Sequence, residues 1–251
     1  MNQFCHIVWS NLARFCSGKL TRRTLLCVEV PLIVVSYFGM LAIAVALYPG
    51  GYDWRTMSIS KLLYPQYNPH FYSIASIGVS VTGFLMVPFA GYINRRLRMA
   101  APVMANIATA AFAGGCVCTI LAGLVSSHPE HGVSSVPKLH ELLARAAGIG
   151  IGIGIAVFNA CAIKGYFKPS TEKKQVRRSL LVSWNLLTLP AILVVLVKLA
   201  VYARIQSLTP IFQSLRNTAA WHLGFWEWIG SAAGILFMFF AALLLPEYAG
   251  E

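Results

Sequence analysis

Six runs of apolar residues, each long enough to cross a bilayer as a helix, constrain this chain more than any other feature. They cover about 24–48, 71–93, 99–126, 140–163, 180–203 and 221–246. The hydrocarbon core of a bilayer takes roughly 20 helical residues. Backbone in lipid must satisfy its own polar groups, which leaves only helices and closed barrels. "GIGIGIGIA" alternates like a strand, but a lone strand in lipid would strand its N–H and C=O groups. The expectation is an all-α, polytopic six-transmembrane-helix bundle, one membrane domain over 1–251. The charged fraction is 11%, against about 25% in a soluble domain.

The first run follows a basic segment, "GKLTRR", as a signal peptide would. It extends from Leu25 to Leu47, beyond the roughly 7–15 apolar residues of a signal core, and reads as a retained span.

A net charge of +12 would suggest nucleic acid in a soluble protein. Here its location assigns it to topology. With the N-terminus inside, the cytoplasmic segments 1–23, 94–98 and 164–178 hold thirteen of the twenty Lys and Arg. The outer loops hold five: Arg55, Lys61, Lys138, Arg204 and Arg216. Short basic loops stay in the cytoplasm, so both termini are expected there and nucleic-acid binding is not. None of the six cysteines falls in an outer loop, where oxidation would pair them. Cys116 and Cys118 sit two apart, which points them to different sides of a helix and makes "CVC" no metal signature.

In the fourth run, helical winding places Gly148 with Gly152 and Gly150 with Gly154 at four-residue spacing. Small residues at that spacing let helix backbones approach closely. The Gly148–Gly154 face is the expected contact with a neighbouring helix or a partner membrane protein.

Five of the six histidines fall on the outer side: His70, His128, His131, His140 and His222. Asp53, Glu130, Glu141 and Glu227 join them, while Glu29 lies near the inner end of the first span. Glu227 stands about six residues into the last span, roughly 9 Å along the axis. A carboxylate at that depth faces the bundle interior or a wet cavity, as a functional group or as a structural hydrogen-bond acceptor. Glu141 and Arg145 are four apart and form an intrahelical ion-pair candidate. That pair does not account for His140, a general-base candidate. Zinc is a second use of the outer histidines with Asp53, needing three ligands and an open position. "HPEH" is a loop sequence unlike a helical zinc motif, so no metal or other cofactor is expected. The first outer loop, "YPGGYDWRTMSISKLLYPQYNPHFYS", is rich in aromatics and reads as a folded cap. Ser58 and Ser60 lack a nucleophile-elbow pattern around them. Trp221, Trp226 and Trp228 fit an interfacial aromatic belt.

The order "SIS", "NPHF", "LHE" opening the fourth span and "FWEW" in the sixth resembles the six-span family of the DRAM autophagy modulators, yeast Sfk and the Golgi protein that remodels GPI-anchor lipids. An uncharacterised bacterial six-helix family has a similar layout. The resemblance implies work on membrane lipids and points to Ser58, Ser60, Pro69, Phe71, His140, Glu141, Glu227 and Trp228. The expected function is to act on or organise membrane lipids at the extracytoplasmic face, with lipid-anchor remodelling, by acyl-ester cleavage or transfer, as its enzymatic form. His140 and Glu227 would form its catalytic centre, with Asp53 and His222 assisting. Ser58, Ser60, Arg145 and Trp228 would bind the lipid. The alternatives are a non-enzymatic lipid-binding scaffold or adaptor and, more weakly, a proton-linked transporter. Transporters place ionisable groups near the midplane, and this sequence has none clearly there.

Overall fold

A computed structural model of the chain describes residues 15, 17–126, 137–167 and 209–245, with 178, 179, 181–183, 185, 186 and 189 between them. All of the regular structure among the described residues is helical. Five helices are long and apolar enough to span a membrane. They are α1 (Arg22–Ala46), α3 (Tyr72–Leu97), α4 (Pro102–Ser126), α5 (Pro137–Phe167) and α7 (Leu223–Leu244). Two short helices, α2 (Ser60–Leu63) and α6 (Thr209–Arg216), lie in the connections. Five of the six expected spans thus appear near their expected places; the run 180–203 lies mostly outside the described residues. The chain is a multi-pass helical membrane protein.

The start of α1 is set by Thr21, whose side-chain oxygen accepts from the Thr24 N–H (3.1 Å) and satisfies one of the donors a helix start leaves open. Pro31 lacks an N–H and its ring crowds the preceding turn. The helix continues through it, with widened π-type turns at Leu25–Glu29 and Val35–Gly39 on either side. The basic residues Arg22, Arg23, Arg95, Arg96 and Arg98 collect at one end of the bundle, hereafter the basic end. There the Arg22 guanidinium donates to the Leu245 carbonyl at the close of α7, where an orphan carbonyl and the helix dipole both favour a cation.

Successive helices α1, α3, α4 and α5 pack against one another, and α7 lies against α1 and α3. Four phenylalanines, all fully buried, mark the centre. Phe89 of α3 contacts Phe112 of α4 (centroids 5.9 Å) and Phe237 of α7 (6.1 Å), and Phe112 contacts Phe158 of α5 (6.4 Å).

The seam between α4 and α5 explains half of the glycine pattern. A Cβ at Gly150 would lie 2.8 Å from the Ala111 carbonyl oxygen, and one at Gly154 would lie 2.6 Å from the Phe112 Cβ. Only glycine allows this approach. At Gly148 and Gly152 no described atom lies within 4 Å. The Gly148–Gly154 segment therefore has two faces: one is filled by the chain's own α4, and the other is left open by the described residues.

Candidate functional site

The end opposite the basic one is covered by a folded cap, residues 47–71, as the aromatic-rich loop suggested. It is built upward from one turn. The Asp53 carboxylate accepts from the Arg55 N–H (3.0 Å) and the Thr56 hydroxyl (2.9 Å), while its carbonyl accepts from the Thr56 and Met57 amides. These donors, the Arg55 amide first, hold the Asp53 carboxyl below the usual carboxylate range, with further help from the charges of Arg55 and His222. The turn delivers Met57 and Ser58 onto the start of α7 at Gly224, where a Cβ would sit 2.1 Å from the Met57 carbonyl oxygen.

Next in the chain, α2 is held at both ends. At its start, the Glu227 carboxylate of α7 accepts from the Ile59 N–H (Oε2, 2.6 Å). An N–H at a helix start has no partner within the helix, and the anion supplies one across the cap. Just past the other end, the Tyr64 ring meets the His140 ring of α5 edge-on, with centroids 5.0 Å apart. Between these grips, α2 buries Ile59, Leu62 and Leu63 against Leu41 and Ala44 of α1 and Ala75 and Val79 of α3.

An aromatic cluster braces the Glu227 side. Trp228 stacks on Phe38 (6.2 Å), and its Nε1–H donates to the Tyr52 hydroxyl (3.2 Å), which donates onward to the Met57 carbonyl (2.9 Å). The Tyr37 hydroxyl and Ser231 Oγ are 2.7 Å apart, and Ser231 also bonds the Glu227 carbonyl (2.7 Å). Burial, with the negative charge of Glu227 nearby, drives the Tyr52 phenol well above its ordinary range. Tyr64 shifts the same way through burial and the Glu141 charge.

His140 is 4% exposed. Its Nδ1 lies 2.9 Å from the Ala122 carbonyl of α4, and because a carbonyl only accepts, Nδ1 carries the proton in this bond. His140 and Glu227 therefore occupy the same end of the bundle. They grip opposite ends of α2: Ile59 and Tyr64 are five residues apart, about 7.5 Å at the helical rise. Glu227 bonds the Ile59 N–H and His140 the Ala122 carbonyl.

The remaining expected residues are spread around this core. Asp53 is exposed and forms its turn, with His222 near enough to act on it by charge. His222 stands at the N-cap of α7, where its side chain makes no capping bond. Ser58 and Ser60 are half-buried at the entry to α2, and the Ser58 carbonyl accepts from the Lys61 amide (3.1 Å). Arg145 pairs with Glu141 on the open face of α5, the two side chains 72% and 57% exposed. Trp228 turns into the aromatic cluster rather than out to a belt. Among the described residues no three His, Cys, Asp or Glu side chains come together to hold a metal ion. His128, His131 and Glu130 lie outside the described residues. The partners of Glu227 and His140 escaped the sequence reading because the main-chain groups of Ile59 and Ala122 carry no residue signature. No protein-family model, curated protein or solved structure matches the chain.

Proposed function

We propose that this protein organises membrane lipids at its capped face as a lipid-binding scaffold; the charge distribution supports reading that face as the extracytoplasmic one. The fuller topology, six spans with both termini cytoplasmic, belongs to the same reading. The observation that carries it is the Glu227–Ile59 bond: the deepest outer carboxylate is engaged in holding the cap. A catalytic acid–base pair needs its groups within about 3 Å of a common reacting atom, and this acid and this histidine serve opposite ends of α2. The aromatic cap then supplies a rigid, amphipathic surface at headgroup depth, the chemistry that tyrosine and tryptophan bring to a bilayer interface.

Lipid-anchor remodelling, such as acyl-ester cleavage or transfer on a GPI-type anchor, is the second reading. It is favoured by His140, whose ring is oriented through Nδ1 as the ring of a general base is. One experiment separates the two. Purified protein in nanodiscs is assayed for retained lipid by mass spectrometry and for acyl release from phospholipid and GPI-type substrates. The scaffold reading expects lipid retained above a control membrane protein, reduced in Glu227→Ala, with no acyl release. Acyl release that His140→Ala abolishes overturns it in favour of remodelling, and retention no greater than the control overturns it outright.

A further inference from the structure

The sequence placed Glu29 near the inner end of the first span and gave it no role. It is 4% exposed, and its Oε1 has no hydrogen-bond partner among the described residues. It lies seven residues past Arg22, about 10 Å into α1 at the helical rise. Leu25 and Ile33, one turn to either side on the same buried stripe, are fully buried in the core cluster that also contains Phe89, Tyr92, Phe237 and Met238. An ionised carboxylate buried among apolar side chains, with one oxygen unpartnered among the described residues, costs several kcal/mol even after relaxation.

Two further features bear on the same group. Glu29 closes the widened turn Leu25–Glu29, two residues before Pro31. Single widened turns of this kind recur at functional positions and mark where a helix can repack. Two turns towards the cap, the Ser36 and Thr82 hydroxyls, both buried, stand 2.9 Å apart on the α1–α3 seam. The buried stripe of α1 that holds Glu29 thus continues with groups able to donate and accept hydrogen bonds.

We propose that Glu29 is a proton-binding site within the membrane, a carboxyl that carries its proton on and exchanges it. This site is separate from the capped end and does not depend on the lipid reading. It takes a proton rather than a metal ion, because the described residues gather no group of three His, Cys, Asp or Glu side chains that could hold one.

The test uses the full chain in lipid vesicles. A lipid-soluble carbodiimide adds to a protonated carboxyl: the acid's hydrogen goes to a carbodiimide nitrogen and its oxygen bonds to the central carbon. An acyl shift to nitrogen then leaves a stable N-acylurea carrying the whole reagent mass. Peptide mapping is expected to find this adduct on Glu29 of the wild-type chain. The exposed, Arg145-paired Glu141 is expected to react only with a water-soluble carbodiimide. As a second measurement, infrared spectra should show a protonated-carboxyl C=O band that Glu29→Gln removes and heavy water shifts. A chain whose Glu29 is unreactive to the lipid-soluble reagent, or whose spectrum loses no such band in Glu29→Gln, overturns the proposal. A band that heavy water leaves in place overturns the exchange.

Discussion

Truncating Glu227 to alanine tests the architecture of the cap most directly. The Glu227 carboxylate satisfies the Ile59 N–H at 2.6 Å, and Ile59 itself is buried. A hydrogen bond to a charged group contributes about 1.5–3 kcal/mol, and a buried donor left without a partner costs a comparable amount. Glutamine keeps an acceptor oxygen but loses the charge, so its loss should be about 0.5–1.5 kcal/mol. At 1.4 kcal/mol per factor of ten, alanine should raise local opening of α2 roughly 10- to 100-fold, and glutamine by up to about tenfold. Hydrogen exchange read by mass spectrometry on nanodisc-embedded protein is the suitable assay, since it reports opening of single segments. The peptide covering residues 58–64 should exchange faster in the order wild type, Glu227→Gln, Glu227→Ala, while peptides from the α4–α5 seam stay unchanged. Equal rates in all three proteins would refute the claim that this carboxylate holds the cap. Uniform acceleration along the chain would instead assign Glu227 to the stability of the whole bundle.

Other outcomes follow from the same geometry. Gly154→Leu should destabilise the α4–α5 seam by about 1–3 kcal/mol or more, because its Cβ would strike Phe112, while Gly148→Leu should leave the melting temperature in detergent within error. His140→Ala removes the bond to Ala122 and the Tyr64 ring contact, together about 1–3 kcal/mol, and should lower the melting temperature while freeing Tyr64 to exchange. Asp53 has a carboxyl held below its unfolded value of about 3.9. Its contribution is therefore present above that pH and lost as the pH falls through the lower folded value. The 53–57 turn should loosen in acid, read by Trp54 fluorescence, and Asp53→Asn should flatten that response. Phe237→Ala should cost about 3–5 kcal/mol through the cavity left beside Phe89, measured by thermal unfolding.

The spans were legible because the thickness of a bilayer acts on consecutive residues: the run 24–48 became Arg22–Ala46, and 140–163 became Leu139–Phe167. The cap was legible for a similar local reason, a connecting loop with more Trp and Tyr than a solvated loop carries. Glu227 stood out by the cost of its depth. Pairings between helices were not legible, since they depend on rotation about each axis. Gly150 and Gly154 turned inward rather than Gly148 and Gly152 because Ala111 and Phe112 of α4 offered the complementary surface. The burial of Glu29 depends likewise on how two widened turns set the face that α1 presents. His140 and Glu227 were expected to meet; both lie against α2, through Ile59 and Tyr64, and this helix, only four residues long, is too short to announce itself by periodicity.

Because α2 is held by a side chain from α7 at one end and rests on a ring from α5 at the other, it ties together two membrane spans that are distant in the sequence. Spans longer than the local hydrocarbon thickness respond by tilting. A difference in tilt between α5 and α7 would then load this short crosspiece and, with it, the whole 47–71 cap.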